Sequence, residues 1–450
     1  MEEKIALMKK VLQQENELEG WKIIVVESKK CNIYITKNSE KESNLQGERS
    51  HAEITIYKKF GKQLGDSSFT ILLDEVNEAK IKKRIKEELL VCAYSQKRYY
   101  QLPEKQKWPI EFDKVIIYDN LFDSAEKVKL KLEELYQEAK TEIAKHKDIM
   151  LNSLEFLSEA VVQRIINSKG IDVSQKKSHV HGEFIITGKK GDKENEYLFE
   201  IDTTHFKDVQ IAEIVKNNVE VVHDILDAKK PKNMQGTVLL SHNALKEFFS
   251  PHLSLNPIIA HTSARLKYMD LSTYKKDQLI CIKFEGDALT ICSDPLLDYN
   301  PSSQLFDGDG VLSQEVLLVE NGIFKNYFAS SRYAQYLDVS ATGAMGAVEI
   351  AAGKIDAEKL YTEKCYELVS FASFVPNYIS GDFSAEIRLG YEIIVKDNKI
   401  IKKPFRGGMF TGNIFSLISN ISLAKEIIQY DGYYGPKVVR FNDAVIAGLE

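Results

Sequence analysis

The stretch Ile379-Ser-Gly-Asp-Phe-Ser-Ala-Glu-Ile-Arg-Leu-Gly-Tyr-Glu-Ile-Ile-Val-Lys-Asp-Asn-Lys-Ile-Ile-Lys402 decides the character of the C-terminal half. Two short runs rich in β-branched residues, 391–396 and 399–402, flank Asp397-Asn398, a pair suited to a two-residue hairpin turn. Gly381-Asp382 upstream supplies a further turn signal. Strand-like runs recur at Thr237–Leu240, Gln278–Phe284 and Ser313–Glu320. Of 24 glycines, 8 lie in residues 1–225 and 16 in residues 226–450, which fits a turn-rich, mostly β second half.

Outward from there, the N-terminal half alternates helices with strands. Ile5, Met8 and Leu12 share one face of a helix over 4–14, and residues 75–95 read as a second helix. Trp21–Glu27, Cys31–Thr36, Ala52–Tyr57 and Phe69–Leu73 read as strands, and Tyr99–Phe112, with Pro103 and Pro109, as a connector. Val128, Leu132, Leu135, Ala139 and Ile143 form one stripe along a helix over 124–147, with Asp123 and Glu126 spaced as a capping box. Glu183–Thr187 and Tyr197–Ile201 flank a long polar loop over 188–195. Ile211, Ile214, Val215, Val222 and Leu226 face inward from a helix over 207–227. The charged, proline-broken Lys229-Lys-Pro-Lys-Asn233 marks a boundary between an N-terminal α+β domain, 1–228, and a β-rich C-terminal domain, 235–450. The fold class expected is α+β, with helices on mixed or antiparallel sheets.

The chain has 450 residues, 44% hydrophobic and 28% charged, a globular balance with room for two or three domains. Its formal net charge of −6 argues against a broad nucleic-acid-binding face. No run approaches the length of a membrane-spanning helix, and Met1-Glu2-Glu3-Lys4 is unlike a secretory signal. Five scattered cysteines with no CxxC pair read as free thiols of a cytoplasmic protein.

Most familiar catalytic signatures are missing. There is no Walker loop and no nucleophile elbow, and no histidine is followed by Glu, so H-E-x-x-H cannot occur. Gly308-Asp309-Gly310 lacks the third glycine of a dinucleotide fingerprint. Read as a calcium loop, 307–318 places Leu312 and Leu318 where glycine and a bidentate Glu are needed, so it is expected to be a polar turn. Ser422-Leu-Ala-Lys425 fits S-x-x-K on what reads as a surface helix. His179 and His181 share a face if they lie on a strand, but no third ligand is indicated. His242, Glu247 and His252 diverge by about 140° per step on a regular helix, and Pro251 interrupts that helix, so the trio needs an irregular backbone to bind a metal.

Phe306-Asp-Gly-Asp-Gly310, Val316-Leu-Leu-Val-Glu-Asn-Gly322, Ser340-Ala-Thr-Gly343, Ser380-Gly-Asp-Phe-Ser384 with Gly390, Gly412-Asn413 and Val445-Ile-Ala-Gly448 follow one another in an order that resembles the TldD/PmbA family, also called modulators of DNA gyrase and regarded as zinc metalloproteases. Ile166-Asn-Ser-Lys-Gly170 extends the resemblance into the first half. The resemblance implies a two-domain architecture and a cytoplasmic TldD/TldE-type protease acting on unfolded peptides. TldD-like members carry H-E-x-x-x-H and a later cysteine as zinc ligands; PmbA/TldE-like members lack them and pair with a TldD-like subunit. Here Ser241-His-Asn-Ala-Leu-Lys-Glu-Phe-Phe-Ser-Pro-His252 cannot be slid onto H-E-x-x-x-H, and Asp431-Gly-Tyr-Tyr-Gly435 stands where the cysteine is expected.

The expectation is therefore a PmbA/TldE-like, non-catalytic subunit with no catalytic residues and no metal of its own, zinc residing in a TldD-like partner of a heterodimer. A homodimer is the other assembly. Neither nucleic acid nor membrane is an expected partner. Gly381, Asp382, Phe383, Ser384, Gly390 and Gly343 are the implied substrate-binding residues, with the two glycines of the 381–390 block allowing strand addition by an extended peptide. The alternatives are an active metallopeptidase using His242, Glu247 and His252 as divergent ligands, and a non-proteolytic regulatory binding protein.

Overall fold

The structure, a computed structural model, describes residues 1–36, 43–207, 209–250, 252, 256–362, 364–396, 399–430 and 432–449. Pro251, Asp431 and the Asp397-Asn398 turn lie outside the described residues, although the flanking strands pair from Lys396 with Lys399 to Gly390 with Phe405.

Residues up to Thr203 build one seven-stranded antiparallel sheet. Its order is Lys97–Arg98, Gln63–Leu72, Ser43–Phe60, Gly20–Thr36, Ile149–Asn167, Asp172–Lys190, Lys193–Thr203. The two runs read separately at 21–27 and 31–36 are one strand, because Ser28, Lys29 and Lys30 keep pairing with 159–161 and 47–49. The polar 188–195 segment is also mostly strand. Gly188 pairs with Asn195 and Lys190 with Lys193, so the turn is confined to Gly191-Asp192. Ile149–Asn167 carries no clean alternation in sequence, yet it is a central strand.

One face of this sheet is covered by Ala125–Ile143 and Ile211–Asp227. All five residues of the first helix's stripe are buried. Its cap differs from the expected box: Ser124 Oγ accepts from the Lys127 amide at 3.3 Å, while Asp123 accepts from Tyr118 and pairs with Lys176. Glu2–Gln13 and Glu78–Val91 form a second apolar layer with the outer strands.

From Met234 onward the chain forms two further sheets. A closed ring runs Cys365–Pro376, Met234–Ser241, Val438–Ala447, Met409–Asn413, Asp382–Lys396 and back to Cys365–Pro376, with Lys399–Phe405 and Ile421–Leu423 attached. The ring is closed at Tyr366–Leu368, where Cys365–Pro376 meets Met234–Ser241; residues 369–376 of that strand pair only with Asp382–Lys396. The other sheet is six-stranded, from Ile323–Phe324 through Ala347–Ile350 to Ile427–Tyr430. Gln278–Phe284 is not a strand; it contributes one isolated bridge, Leu279 with Ile323, and leaves Ile282 in solvent. Ser422 belongs to the short strand Ile421–Leu423 rather than to a helix. Asp307-Gly-Asp-Gly310 is the polar turn expected: Asp307 Oδ1 accepts from the amides of Asp309 and Val311, and Lys22 pairs with Asp309 at 2.7 Å.

The core between the first sheet and the ring is shared. Val215, Val219, Val222 and Leu226 of the 211–227 helix pack in one cluster with Phe184 and Phe199 of the sheet and with Leu389, Tyr391 and Ile393 of the ring. The Tyr391 hydroxyl donates to Asp224 of that helix. Gly188 sets the helix-to-sheet spacing, since a Cβ there stands 2.3 Å from Val222 Cγ1. Gly188→Ala is expected to destabilise the chain by about 1–3 kcal/mol through overpacking, read as a lowered midpoint in urea unfolding; an unchanged midpoint contradicts this spacing role.

Candidate functional site

The hairpin that joins Cys365–Pro376 to Asp382–Lys396 rises from the ring and borders a groove of ≈ 650 Å³. Its lining is Val375 to Ile379 and Asp382 to Ser384. The turn is tied by its own backbone: the Asn377 amide donates to Asp382 O at 2.7 Å and the Gly381 amide to Asn377 O at 2.8 Å. Asn377 Oδ1 accepts from the Ile379 and Ser380 amides, both at 3.0 Å. Gly381 has φ +81, and a Cβ on it stands 2.6 Å from the Phe415 ring, so glycine is required there on two counts.

Asp382 is exposed, and its carboxylate accepts from Ser380 Oγ at 2.8 Å and Asn413 Nδ2 at 2.9 Å. Those two hydrogen bonds hold its pKa below the ordinary value. Asn413 works in three directions. Its Nδ2 also donates to Ser380 O, and its Oδ1 caps the helix Ile414–Ile418 by accepting from Phe415 and Ser416 amides. Phe383 points the other way, into an aromatic cluster with Phe248, Phe374 and Phe410. Ser384 lies partly exposed on the groove side.

Beneath the hairpin lies His261, fully buried. Its Nε2–H donates to Ile379 O at 2.9 Å, while Nδ1 accepts from the Thr273 amide at 3.0 Å. The ring is thus neutral with one tautomer, and burial lowers its pKa. Sequence reasoning passed over His261 as one histidine among nine, and over Asn413 as a site residue although Gly412-Asn413 belongs to the recognised pattern. The available signal was Asn256-Pro257, an N-cap with proline at the first helical position, which seats the short helix leading into His261.

The six implied binding residues therefore divide. Asp382, Phe383 and Ser384 line the groove and Gly381 forms the turn beside it. Gly390 is buried farther along the strand, its missing side chain making room for Phe405 at 2.6 Å. Gly343 lies in a separate turn with φ +75, backed by Leu312 O. Strand addition at Asp382–Ser384 is ruled out by register: Phe383 and Ser384 pair with Pro376 and Val375 on one side and with Gly412 and Thr411 on the other. Both backbone edges are taken. Asn167 explains the 166–170 phrase as a turn, accepting from Lys169 and Ile171 amides and donating to Pro103 O.

A hydrolytic zinc needs three converging protein ligands and a carboxylate to take a proton. His242, Glu247 and His252 do not converge. His242 is exposed with φ 51 and bonds Ser241 Oγ at 2.9 Å; His252 is exposed; Glu247 is half-buried and feels Arg388, Lys246 and Glu200. Ser241 in turn donates to the buried Glu367, which also holds Tyr361 and Lys402. The residues here do not fit a catalytic zinc. Among the described residues, the trio of His, Asp, Glu or Cys whose ligand atoms lie within 4.8 Å of one another is a different one, His181, Glu183 and Glu200.

Residues 233–448 match the family model described as PmbA/TldA metallopeptidase C-terminal domain. The chain is 28% identical over 362 residues to an uncharacterised protein of Methanocaldococcus jannaschii, covering 75% of this chain and 77% of the relative. It is 24% identical over 314 residues to a zinc metalloprotease TldD homolog of Saccharolobus solfataricus, covering 65% and 68%. In fold it is similar to a crystal structure described as a modulator of a DNA gyrase from Thermotoga maritima, with a TM-score of 0.80 at 19% identity over 99% of both chains. TldE of Thermococcus kodakarensis superposes with a TM-score of 0.75 at 18% identity over 98% of this chain and 100% of that one.

Burial pushes the Glu247 carboxyl up to about 7. The sign follows: the folded protein holds this proton more tightly than the unfolded chain, so the stabilisation is complete below the ordinary Glu range and is lost as pH rises through about 7. Glu247→Gln is expected to gain about 2 kcal/mol on the wild type between acid and mildly alkaline pH, measured by urea unfolding at both. A difference that does not change with pH contradicts the burial.

Proposed function

We propose that this chain, a member of the TldD/PmbA family through residues 233–448, is a TldE-type subunit that presents unfolded peptide to a zinc-bearing TldD-type partner and does not hydrolyse it alone. The observation that carries the reading is the segment after Met234–Ser241, where the side chains His242, Glu247 and His252 offer no convergent ligand set. The TldE likeness in fold supports the same branch.

The groove at the 376–382 hairpin is the part of the chain suited to peptide. Val375, Tyr378 and Ile379 are exposed apolar side chains at its rim, with exposures of 63%, 37% and 38%. Asp382 supplies one fixed negative charge. Apolar side chains of an extended segment bind such a rim with little sequence preference, and the anchored Asp382 favours a nearby amide or amine donor. Both edges of Asp382–Ser384 are paired, so recognition by that segment runs through side chains and the exposed turn. We place the protein in the cytoplasm on its five scattered cysteines, none of them in a CxxC pair, and assign it no nucleic-acid partner on its charge. No described helix is long and apolar enough to cross a membrane.

The test is cleavage of an unfolded protein such as reduced casein by the isolated chain, by a TldD-type subunit, and by the two together. Activity confined to, or raised at least several-fold in, the mixture is expected. Chelator-sensitive cleavage by the isolated chain overturns the reading. Within the mixture, Ile379→Asp is expected to raise KM roughly tenfold by removing apolar contact at the rim, with little change in kcat; an unaltered KM removes the groove from the peptide path.

A further inference from the structure

A second constellation lies far along the sequence from the groove, on the face of the first sheet opposite Val180 and Phe184. His179, His181 and Glu183 follow one another at every second position of Asp172–Lys190, so their side chains share that face. On the neighbouring strand Asp202 stands opposite His181 and Glu200 opposite Glu183. Nε2 of His179 and Nδ1 of His181 both lie 3.0 Å from the same atom, Asp202 Oδ1. Asp202 thus binds both imidazoles, while the ligand atoms that all lie within 4.8 Å of one another are those of His181, Glu183 and Glu200.

The charge balance makes the arrangement unusual. Glu183 and Glu200 are directly cross-strand, a placement that costs stability for like charges. With Asp202 they bring three carboxylates to one patch. Lys246, on the helix His242–Phe248, is the cation that acts on Asp202 from outside this sheet, while Glu247 of the same helix adds a further carboxyl toward Glu200. A purely structural His–Asp–His contact explains neither the opposed glutamates nor the surplus of negative charge.

We propose that His181, Glu183 and Glu200 form a binding site for one divalent first-row transition ion of the zinc class, with Asp202 orienting the His181 ring. Mixed imidazole and carboxylate donors suit such ions better than calcium or magnesium, which prefer all-oxygen shells. Side-chain rotation brings these three donors, now within 4.8 Å of one another, to bonding distances of about 2.0–2.2 Å. The ion relieves the Glu183–Glu200 repulsion and clips two adjacent strands together. The site lies on residues other than the 241–252 segment, so the absence of a hydrolytic zinc there stands or falls separately.

The full-length chain, stripped with chelator, is titrated with Co²⁺ alone and with Zn²⁺ alone. One ion per chain is expected, with Co²⁺ giving visible d–d absorption that Zn²⁺ displaces. His181→Ala with Glu183→Gln is expected to weaken Zn²⁺ binding at least a hundredfold, and Glu200→Gln about tenfold, each variant keeping the circular dichroism of the metal-free wild type. Zinc should raise the wild type's melting temperature and leave the double variant's unchanged. Binding that survives the double variant, no stoichiometric uptake by the wild type, or uptake without a melting shift overturns the site. Because neither readout involves peptide cleavage, the outcome is independent of the subunit's role in proteolysis.

Discussion

The fold depends on one buried contact layer, the helix Ile211–Asp227 held between the first sheet and the closed ring of strands. Val215, Val219 and Val222 are fully buried, and their cluster draws side chains from both sides. A helix buried on one face only is an ordinary cover for a sheet. This one also meets the ring, through the Tyr391–Asp224 hydrogen bond and the 389–393 apolar run, while Glu213, Lys216, Asn217 and Glu220 stay exposed. The linker after it is also fixed: the Lys229 amide donates to Pro404 O and the Leu449 amide to Pro231 O. Charge and proline in 229–233 thus mark the passage from one set of sheets to the other without making it a loose tether.

Closure of the ring decides where chemistry can happen. A strand with a free edge recruits another strand; where this ring is closed it offers its ends and connecting turns, and beyond Leu368 the outer edge of 369–376 as well. The hairpin over 377–381 is such an end. Its exposed turn is held by Asn377, Asn413 and the buried His261, so the groove's shape is set before any ligand arrives. That suits a surface built to hold a segment of chain.

What was legible in the sequence follows from periodicity. The stripe from Val128 to Ile143 and the inward face of 211–227 were readable because buried positions recur every three or four residues. Strand boundaries were harder. Lys29, Lys30 and residues 189–194 are polar because those positions face solvent, not because the backbone leaves the ladder. Gln278–Phe284 has strand composition but lies at a sheet margin with a single bridge. Asp123 suited a capping box, yet the cap went to Ser124, since Tyr118 and Lys176 draw the aspartate elsewhere. The turn at Gly381-Asp382 was readable from residue type; its support by His261 across a long sequence separation was not.

The same limit explains the histidine pair. In sequence, His179 and His181 have no third ligand, because a strand shows only its own neighbours. Register supplies the rest: pairing Gly182 with Ile201 sets Asp202 against His181 and Glu200 against Glu183 in one step. A slip by one residue would turn Asp202 and Glu200 to the opposite face, among Val180 and Phe184, where unpaired carboxylates are costly. The apolar positions that fix the register, Phe184 with Phe199 and Ile186 with Tyr197, therefore also bring two imidazoles and three carboxylates together on the outer face. Core packing on one side of the sheet creates the donor cluster on the other.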